Sequence, residues 1–411
     1  GTFFTTVIAE NEIVGTLLWS RGITITALIV AFLSPIMGAF ADRGGYRKLF
    51  LFIMTYLAVI GSIMLYFTLP GQVLKALIWF IIGNVAFEIG CVFYNAFLPE
   101  IAPTEKIGRV SGYGWSLGYI GGLFCMGIAM VTLVNPEVPW FGFSKEAGEN
   151  IRATNLLVAG WFALFSIPIF LWVKENNSKT RDTGESVFRT GFIQLANTFR
   201  EIKKYRQIIR FLLARLVYND GLVTIFAFGG IYAAGTFGFT MQEIFLFAII
   251  LNITAGLGAF LLGFLDDLIG GKRTIQISNI GLIIAALIAV LSPNRDLFEL
   301  SVPFVGQLII TGKTFFWLAG ILIGIFSGPN QSASRSLMAR FIPKQKENEF
   351  FGFFAFSGKA TAFAGPFLLG YLTLAFGSQR YGIAVVLAFL VIGSLLLRSV
   401  DEKAGMEAAE T

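Results

Sequence analysis

The chain has 411 residues, of which 55% are hydrophobic and only 14% are charged. A soluble domain carries about 25% charged residues, so the composition excludes a soluble globular protein. The net charge of +6 is assigned to loops that set membrane orientation, and no nucleic-acid partner is expected. The chain has no histidine and two cysteines, and it carries no metal-binding cluster, nucleotide loop or enzyme motif.

The apolar residues form runs of roughly 18–25 residues, long enough to cross a hydrocarbon core of about 30 Å as helices. The opening GTFFTTVIAE resembles part of a further span but is too short to cross alone. Either upstream sequence is missing or the first span is cut down. The predicted spans are 17–40, 49–69, 73–97, 111–134, 154–173, 208–234, 243–265, 274–291, 314–338, 350–376 and 381–398.

Basic residues are distributed unevenly over the predicted loops, with roughly three times as many on one side as on the other. This bias predicts that segment 174–207 and both chain ends face the cytoplasm of a multi-pass integral membrane protein. Because long inserted loops are absent, a bacterial inner (plasma) membrane is favoured over a vacuole.

Segment 174–207 is the longest polar stretch, and its apolar residues recur at helical spacing, which predicts an amphipathic helix on the cytoplasmic surface. It separates an N-terminal transmembrane half (1–173) from a C-terminal half (208–398) and a cytoplasmic tail (399–411). The halves repeat, because GAFADRGGYRK recurs as GFLDDLIGGKR 225 residues later. Parallel repeats of six helices are a transporter architecture. The predicted fold is therefore an all-α polytopic membrane protein of about 11–12 transmembrane helices.

The repeated loop motif resembles the cytoplasmic signature of the major facilitator superfamily. Its glycine permits close helix approach, its aspartate can meet a helix N-terminus or a basic partner, and its basic residues can bind lipid headgroups. We interpret it as a conformational gate rather than a substrate contact, with Leu268 replacing a usual basic residue in the second copy. The motif residues are Gly38, Asp42, Arg43, Gly45, Arg47 and Lys48, then Gly263, Asp267, Gly270, Lys272 and Arg273.

Five further segments together resemble the autophagy-related vacuolar amino-acid effluxer family and its bacterial relatives. The resemblance runs from about Trp19 to the last span, and the family's usual opening, an aromatic–Asp–Trp–Ala–Asn run, is missing. It implies the major facilitator fold, alternating access of two halves and export of amino acids. The segments are FYNAFLPEIA (93–102), SGYGWSLGYIGG (111–122), YNDGLVTIFAFGGIYAAGT (218–236), GPNQSASRS (328–336) and EFFGFFAFSGK (349–359).

Several ionisable and polar residues lie inside the predicted spans. At 1.5 Å per residue, Glu88, Asp220 and Lys359 lie about 15–18 Å from one face, where transporters place substrate and ion sites. The alternative is a structural ion pair that fixes helix packing. Asp220 and Lys359 are predicted to pair. The candidate pathway residues are Glu88, Asn95, Arg215, Tyr218, Asn219, Asp220, Gln331, Ser332, Arg335 and Lys359.

Local helix geometry is also predicted from small residues and proline. Asp220-Gly221 suggests a distortion, and Gly328-Pro329 a kink that opens a polar cavity, with interhelical hydrogen bonding as the alternative. The glycines between 108 and 127 indicate close helix contact. Arg215 and Arg335 are expected to lie near backbone carbonyls or the cytoplasmic mouth.

The resulting hypothesis is a secondary active transporter for a small molecule. The resemblance implies amino acids, and mixed midplane charges could meet both termini of a zwitterion. No cofactor is expected beyond a coupling ion, either H⁺ through Asp220 or Glu88, or Na⁺. The expected partners are this substrate and membrane lipids, and a monomer is expected. The alternative is a transport-inactive membrane scaffold or sensor of the same fold.

Overall fold

The computed structural model describes residues 3–9, 12–44, 46–175, 193, 195–198, 200, 204–293, 298–302, 306–344 and 346–410. Gly45, the side chain of Arg43 and most of the predicted amphipathic segment 174–207 lie outside the described residues. The prediction for that segment therefore stays a prediction.

The described chain is helical apart from one hairpin. Eleven segments are long and apolar enough to cross a membrane, so the predicted fold class is confirmed. Short helical turns lie at Phe4–Ile8, Leu98–Ile101, Thr104–Lys106, Met130–Val134, Trp140–Gly142, Glu146–Gly148 and Gln379–Ile383. The longer helices are α1 (Glu12–Gly44), α2 (Arg47–Tyr66), α3 (Val73–Ala96), α4 (Ile107–Ala129), α5 (Glu149–Trp172), α6 (Arg206–Phe237), α7 (Met241–Ile269), α8 (Gly271–Leu291), α9 (Gly312–Phe341), α10 (Glu347–Lys359), α11 (Ala364–Phe376), α12 (Val385–Arg398) and α13 (Glu402–Glu410).

A two-stranded antiparallel hairpin lies between α8 and α9. Its strands are β1 (Phe298–Val302) and β2 (Gly306–Ile310), and Leu300 pairs with Leu308 at the centre of the register. The hairpin lies between the predicted spans 274–291 and 314–338.

The chain forms two compact units, and each contains pieces of both sequence halves. Unit 1 consists of 1–101, 121–202 and 343–359, and unit 2 of 102–120, 203–342 and 360–411. The predicted boundaries of the two halves, 1–173 and 208–398, follow the sequence repeat, and they stay a prediction. The contact pattern adds that α10 packs with the early helices and that the first part of α4 packs with the later ones.

In unit 1, α10 packs along α1 and also contacts α3. Two glycines permit this approach, because a Cβ on Gly38 would collide with the Asn348 carbonyl and a Cβ on Gly352 with the Ser34 carbonyl. Small residues at such crossings let helix backbones come together in a membrane. The contact places the N-terminus of α10 beside the motif end of α1.

In unit 2, α9 packs against α7 and α8. Gly320, Gly324 and Gly328 recur every four residues on the face toward α7, where an added Cβ would meet Phe247, Thr254 and the Ala255 carbonyl respectively. This spacing places all three glycines on one side of the helix. The stripe allows the α7 backbone to approach α9 directly.

The bends predicted at two Gly-containing dipeptides stay predictions, since a helix can bend without being interrupted. The helices α6 and α9 run without interruption through Asp220-Gly221 and Gly328-Pro329. Gly221 permits close contact with α12, since its Cβ would lie 3.3 Å from Leu390. An interruption occurs in the predicted span 350–376, where turn residues Ala360–Phe363 separate α10 from α11.

Both ends of α2 are fastened to the neighbouring helix α5. At its start, Lys48 Nζ donates to the Val173 carbonyl (2.8 Å) and the Lys48 backbone N–H donates to Glu175 (3.2 Å). At its end, Arg152 donates to the Tyr66 carbonyl (2.7 Å). These bonds satisfy backbone groups that a helix leaves without intrahelical partners.

The same arrangement fastens α8 to the segment around α12. Lys272 Nζ donates to the Val400 carbonyl (2.6 Å), and Glu402 accepts from the backbone N–H of Lys272 (3.1 Å). At the other end, Arg380 donates to the Val290 carbonyl (2.6 Å). The repeat seen in the loop motif therefore extends to the hydrogen bonds at both ends of this helix.

Candidate transport and gating sites

An ion pair between Glu88 and Lys359 lies inside unit 1. Glu88 is in the middle of α3, and Lys359 is the last residue of α10, directly before the turn residues that interrupt the span. Lys359 Nζ lies 2.7 Å from Glu88 Oε1, and the side chains are 35% and 26% exposed. The two charges are close enough to neutralise each other, and both side chains are partly exposed.

The predicted pair between Asp220 and Lys359 is wrong, because Lys359 binds Glu88. The prediction assumed that Lys359 belongs with the C-terminal half. In the structure, α10 packs on α1 and α3, so its last residue reaches the side chain of Glu88.

Asp220 lies in unit 2 and is 2% exposed. Its Oδ1 makes no hydrogen bond among the described residues. The predicted buried carboxylate at mid-helix is therefore present, with different surroundings from those expected.

One polar face of α9 bonds to α4. Arg335 donates to the hydroxyl (2.9 Å) and the carbonyl (2.7 Å) of Ser111, and the Ser111 hydroxyl donates to the Ser332 carbonyl (2.7 Å). Gln331 donates to the Tyr119 hydroxyl (3.0 Å). These side chains form hydrogen bonds between helices, which was the alternative to lining a polar cavity. Arg335 binds a backbone carbonyl, as predicted.

A second polar face of α9 points toward α6 and α8. The hydroxyls of Tyr218 and Ser334 share a hydrogen bond of 2.8 Å, and Ser334 donates to the Asn330 carbonyl. Asn330 then donates to Asn279 (2.7 Å). Tyr218 is 1% exposed, so the structure places this candidate pathway residue in the core of unit 2.

Three further candidate residues are half-buried. Asn95 lies seven residues after Glu88, two turns along the same face of α3. Arg215 and Asn219 lie four residues apart on α6, so they share a face that is distinct from that of Asp220. Both take part in interactions, as Asn95 does.

Asp42, from the first copy of the loop motif, caps the N-terminus of α10. Its Oδ2 accepts from the backbone N–H of Glu349 (2.8 Å), and its Oδ1 accepts from the backbone (3.1 Å) and side-chain (2.7 Å) nitrogens of Asn348. Asp42 is 5% exposed. A carboxylate at this position satisfies free N–H groups and interacts favourably with the helix dipole.

Two basic residues of the first copy, Arg47 and Lys48, bind protein rather than lipid, so the expectation of headgroup anchoring is wrong for these two. Arg47 is 4% exposed, lies 3.0 Å from Glu100 and donates to the Ala96 carbonyl (3.1 Å). Lys48 is held at the end of α5. In both cases a nearby helix end supplies carbonyl acceptors that attract a cation.

Asp267, from the second copy, repeats the capping geometry on α4. It accepts from the backbone N–H of Gly108 (2.8 Å) and Arg109 (3.3 Å), and it also binds the Arg109 guanidinium. Gly263 allows this approach, since its Cβ would lie 3.2 Å from Arg109. Gly270 has a φ of +90°, a conformation that favours glycine.

The remaining basic positions of the second copy differ from one another. Lys272 binds the Val400 carbonyl, whereas Arg273 is exposed, and its contact with lipid headgroups stays a prediction. Leu268 is 80% exposed where a basic residue is usual. The aspartate that caps a helix is therefore the element common to both copies.

The sequence reasoning missed several residues of these networks. Asp266 and Arg340 form a buried pair at 2.6 Å, although Arg340 lies beyond the end of the predicted span 314–338. The capping residues Glu175 and Glu402 were also missed. A signal for them exists, because VKE (173–175) and VDE (400–402) recur at nearly the same offset as the loop motif.

The glycines of α4 divide into two groups. A Cβ on Gly108 or Gly112 would collide with α7. A Cβ on Gly118, Gly122 or Gly127 would meet no described atom within 4 Å. The prediction of close helix contact is confirmed for the first group and wrong for the second.

The family described as "Vacuole effluxer Atg22 like" matches residues 17–410. The chain belongs to this Atg22-like family. The matched range begins near the residue at which the sequence resemblance begins, and it contains both copies of the loop motif.

Among similar proteins, the uncharacterized MFS-type transporter YxiO of Bacillus subtilis is 26% identical over 390 residues, which are 94% of this chain and 85% of that protein. Autophagy-related protein 22 of Yarrowia lipolytica is 21% identical over 470 residues, covering 96% of this chain and 76% of its own length. This Atg22-like chain is thus similar to bacterial and fungal members.

Solved structures of major facilitator transporters share its fold. The proton:xylose symporter XylE has a TM-score of 0.69 and 14% identity, covering 98% of this chain and 90% of that one. The transporter FucP in its outward conformation has a TM-score of 0.69 and 12% identity, covering 93% and 90%. With the family match and the similarity to the MFS-type transporter YxiO, this shared fold identifies the Atg22-like chain as a transporter of the major facilitator type.

Proposed function

We propose that the protein exports neutral amino acids by alternating access and that Glu88 and Lys359 bind the two charged termini of the substrate. The observation that carries this proposal is the half-exposed ion pair at the point where a membrane span is interrupted. Transporters use such discontinuous helices near the midplane to bind their substrates.

The chemistry of the pair suits a zwitterion. A carboxylate accepts several hydrogen bonds and an ammonium donates three, so a single bond of 2.7 Å leaves capacity on both groups. An amino acid can place its ammonium on Glu88 and its carboxylate on Lys359. No charge is then left unpaired in low dielectric, which would be costly. A substrate with a further charge would lack a partner, and this favours neutral amino acids.

The two capping aspartates supply a gate. Asp42 holds the start of α10, the helix that carries Lys359 at its other end, and Asp267 holds the start of α4. Release of the Asp42 cap would free α10 to move and to change access to Lys359. Conformational change without loss of the helices requires bistable contacts of this kind.

Export and location rest on the family and on charge. The family description names a vacuole effluxer, and one relative is a bacterial protein. We place the protein in a bacterial plasma membrane with the 174–207 segment and both chain ends in the cytoplasm, because the basic residues cluster on that side.

Counterflow in reconstituted vesicles tests the proposal. Vesicles loaded with unlabelled neutral L-amino acids should take up the labelled pool well above protein-free vesicles. Glu88→Gln and Lys359→Met should each reduce this uptake at least about tenfold, a loss of about 1.4 kcal/mol in binding. The matched control is the Glu243–Lys313 pair, at 2.6 Å with side chains 32% and 33% exposed. Its variants Glu243→Gln and Lys313→Met should transport within twofold of wild type.

Two outcomes would contradict the proposal in different ways. Normal counterflow by both Glu88 and Lys359 variants would place the substrate site elsewhere. Flat traces from wild-type protein with every labelled amino acid would instead favour a transport-inactive scaffold or sensor.

A further inference from the structure

Two buried oxygen atoms without hydrogen bonds lie near the interruption between α10 and α11. They are Asp220 Oδ1 and Thr361 Oγ1, and neither has a partner in the part of the chain that the structure describes. Asp220 is 2% exposed. Thr361 lies four residues before Gly365, and a Cβ on Gly365 would lie 3.3 Å from the Asp220 carbonyl, so both oxygens belong to the same contact between α6 and the start of α11. Buried polar groups normally have partners, so this pair requires an explanation.

The walls around Asp220 are close-packed and offer few polar atoms. The Thr224 hydroxyl donates to the Asp220 backbone carbonyl (2.7 Å), so it is not available to the carboxylate. A Cβ on Gly365 would collide with Thr224 and lie 3.3 Å from the Asp220 carbonyl, so the α11 backbone passes directly beside this turn of α6. The α11 backbone therefore covers this turn of α6, and the Asp220 side chain is buried.

No charged side chain of the described elements packed on α6 is bonded to Asp220. Arg335 of α9 binds Ser111, and Arg398 is an exposed residue at the end of α12. On α6 itself, Arg215 lies five residues away on another face. Other charged or titratable side chains of these helices have partners elsewhere: Arg210 with Ser399, Tyr218 with Ser334, Tyr232 with Ala289, Arg380 with Val290, Asp266 with Arg340, Asp267 with Arg109, Glu243 with Lys313, and Glu402 with α8. The exposed ones are Arg206, Tyr371, Tyr381, Lys403, Glu407 and Glu410. Lys359, two residues before Thr361, binds Glu88.

An ionised carboxylate without a counter-charge is strongly disfavoured in such surroundings. A metal cation would need several oxygen ligands, six or more for Mg²⁺ or Ca²⁺, and two side-chain oxygens are too few. A proton needs only one carboxyl oxygen, and the resulting O–H can donate to Thr361. The enclosed pair therefore suits a proton better than a metal ion.

We infer that Asp220 is the proton-carrying group of the transport cycle and that Thr361 accepts its hydrogen bond while the proton is bound. When the site meets water, the carboxyl O–H bond breaks and the proton passes to a water molecule, leaving a hydrated carboxylate. Movement of α11 relative to α6 would expose the group, since Thr361 lies in the turn before α11. This inference rests on the proposed transport function and names the ion that drives it.

The test compares driven transport with exchange in the same vesicles. For wild type, a pH gradient should drive accumulation of the labelled neutral amino-acid pool, and addition of the unlabelled pool should move protons detected by a trapped pH-sensitive dye. Asp220→Asn should lose driven accumulation and proton movement at least about tenfold, while counterflow falls much less. Thr361→Val should shift the pH dependence of accumulation. Thr373→Val, a second buried threonine without a partner among the described residues, should not.

A spectroscopic measurement covers the case in which Asp220→Asn folds poorly. Infrared spectroscopy of wild-type protein should show a protonated carboxyl C=O stretch that Thr361→Val shifts and Thr373→Val leaves unchanged. Accumulation by Asp220→Asn equal to wild type, or wild-type accumulation driven by a Na⁺ gradient alone, would overturn the inference. Wild-type vesicles without any counterflow would instead refute the transport function on which it rests.

Discussion

Replacement of Asp42 by asparagine should loosen the contact between α1 and α10. The carboxylate accepts one backbone bond from Glu349 and two bonds from Asn348. An asparagine retains one acceptor oxygen, but its NH₂ group would face N–H donors and could not pair with them. The charge that favours the α10 N-terminus is also lost.

The magnitude follows from these losses. Hydrogen bonds to charged groups contribute about 1.5–3 kcal/mol each, and an N-cap contributes about 0.5–2 kcal/mol. One acceptor is retained, so we take a cost of about 2 kcal/mol. At 1.4 kcal/mol per factor of ten, the fraction of molecules with α10 released from α1 should rise about 30-fold.

Alkylation of a cysteine at position 34 measures this fraction. Ser34 is fully buried, and its carbonyl faces Gly352 across the contact. In a background with Cys91 and Cys125 replaced by serine, Ser34→Cys should react with N-ethylmaleimide about 30 times faster when Asp42→Asn is added. The rate tracks the open population when reclosing is fast.

The matched control removes another acidic helix cap. Asp401 accepts from the Ala404 N–H at 3.2 Å on the exposed start of α13. Asp401→Asn should leave the alkylation rate within twofold. A rate for Asp42→Asn that also stays within twofold, with a normal thermal unfolding midpoint, would refute the assigned role of the cap. A substrate affinity that falls more than tenfold would show that Asp42 does more than gate.

Two further predictions concern stability measured by thermal unfolding. Glu88→Gln and Lys359→Met should show a coupling energy of about 1 kcal/mol in a double-mutant cycle, whereas Asp220→Asn and Lys359→Met should add within about 0.5 kcal/mol. Coupling between Asp220 and Lys359, with additive effects for Glu88 and Lys359, would instead support the pairing of Asp220 with Lys359 that the sequence predicts. Glu402→Gln should lower the unfolding midpoint more than Glu175→Gln, because Glu402 accepts from two backbone N–H groups and Glu175 from one. Equal midpoints for both variants and wild type would remove their role as caps.

Sequence alone predicts the spans and the fold because hydrophobic length and a repeated motif are local properties. A helix cap was one of the two roles predicted for Asp42, because a carboxylate is stabilised by a helix N-terminus or by a basic side chain. The sequence could name the residues of the candidate site but not their partners.

Partners depend on which helices pack together. Lys359 was assigned to Asp220 because both lie in the C-terminal half, yet α10 packs with helices of the N-terminal half. The interruption at Ala360–Phe363 was missed although the sequence carries a signal for it, because Pro366 in the first turn of α11 has no N–H to donate to the Ala362 carbonyl. Arg340 was read as a loop charge because burial of a charge depends on a partner, Asp266, that is distant in sequence.

The fastening of α2 and α8 at both ends fixes their lengths. Lys48 and Tyr66 are 18 residues apart, and so are Lys272 and Val290. Eighteen residues make five complete turns of about 27 Å, which returns both ends to the same side of the helix. An insertion of one residue would rotate one end by about 100° and break its bonds. The length of each of these two helices is therefore fixed by the bonds at its ends. In a bilayer thicker than their span the protein has to thin the lipid around it, and in a thinner one it has to tilt, because neither helix can change length by less than a turn.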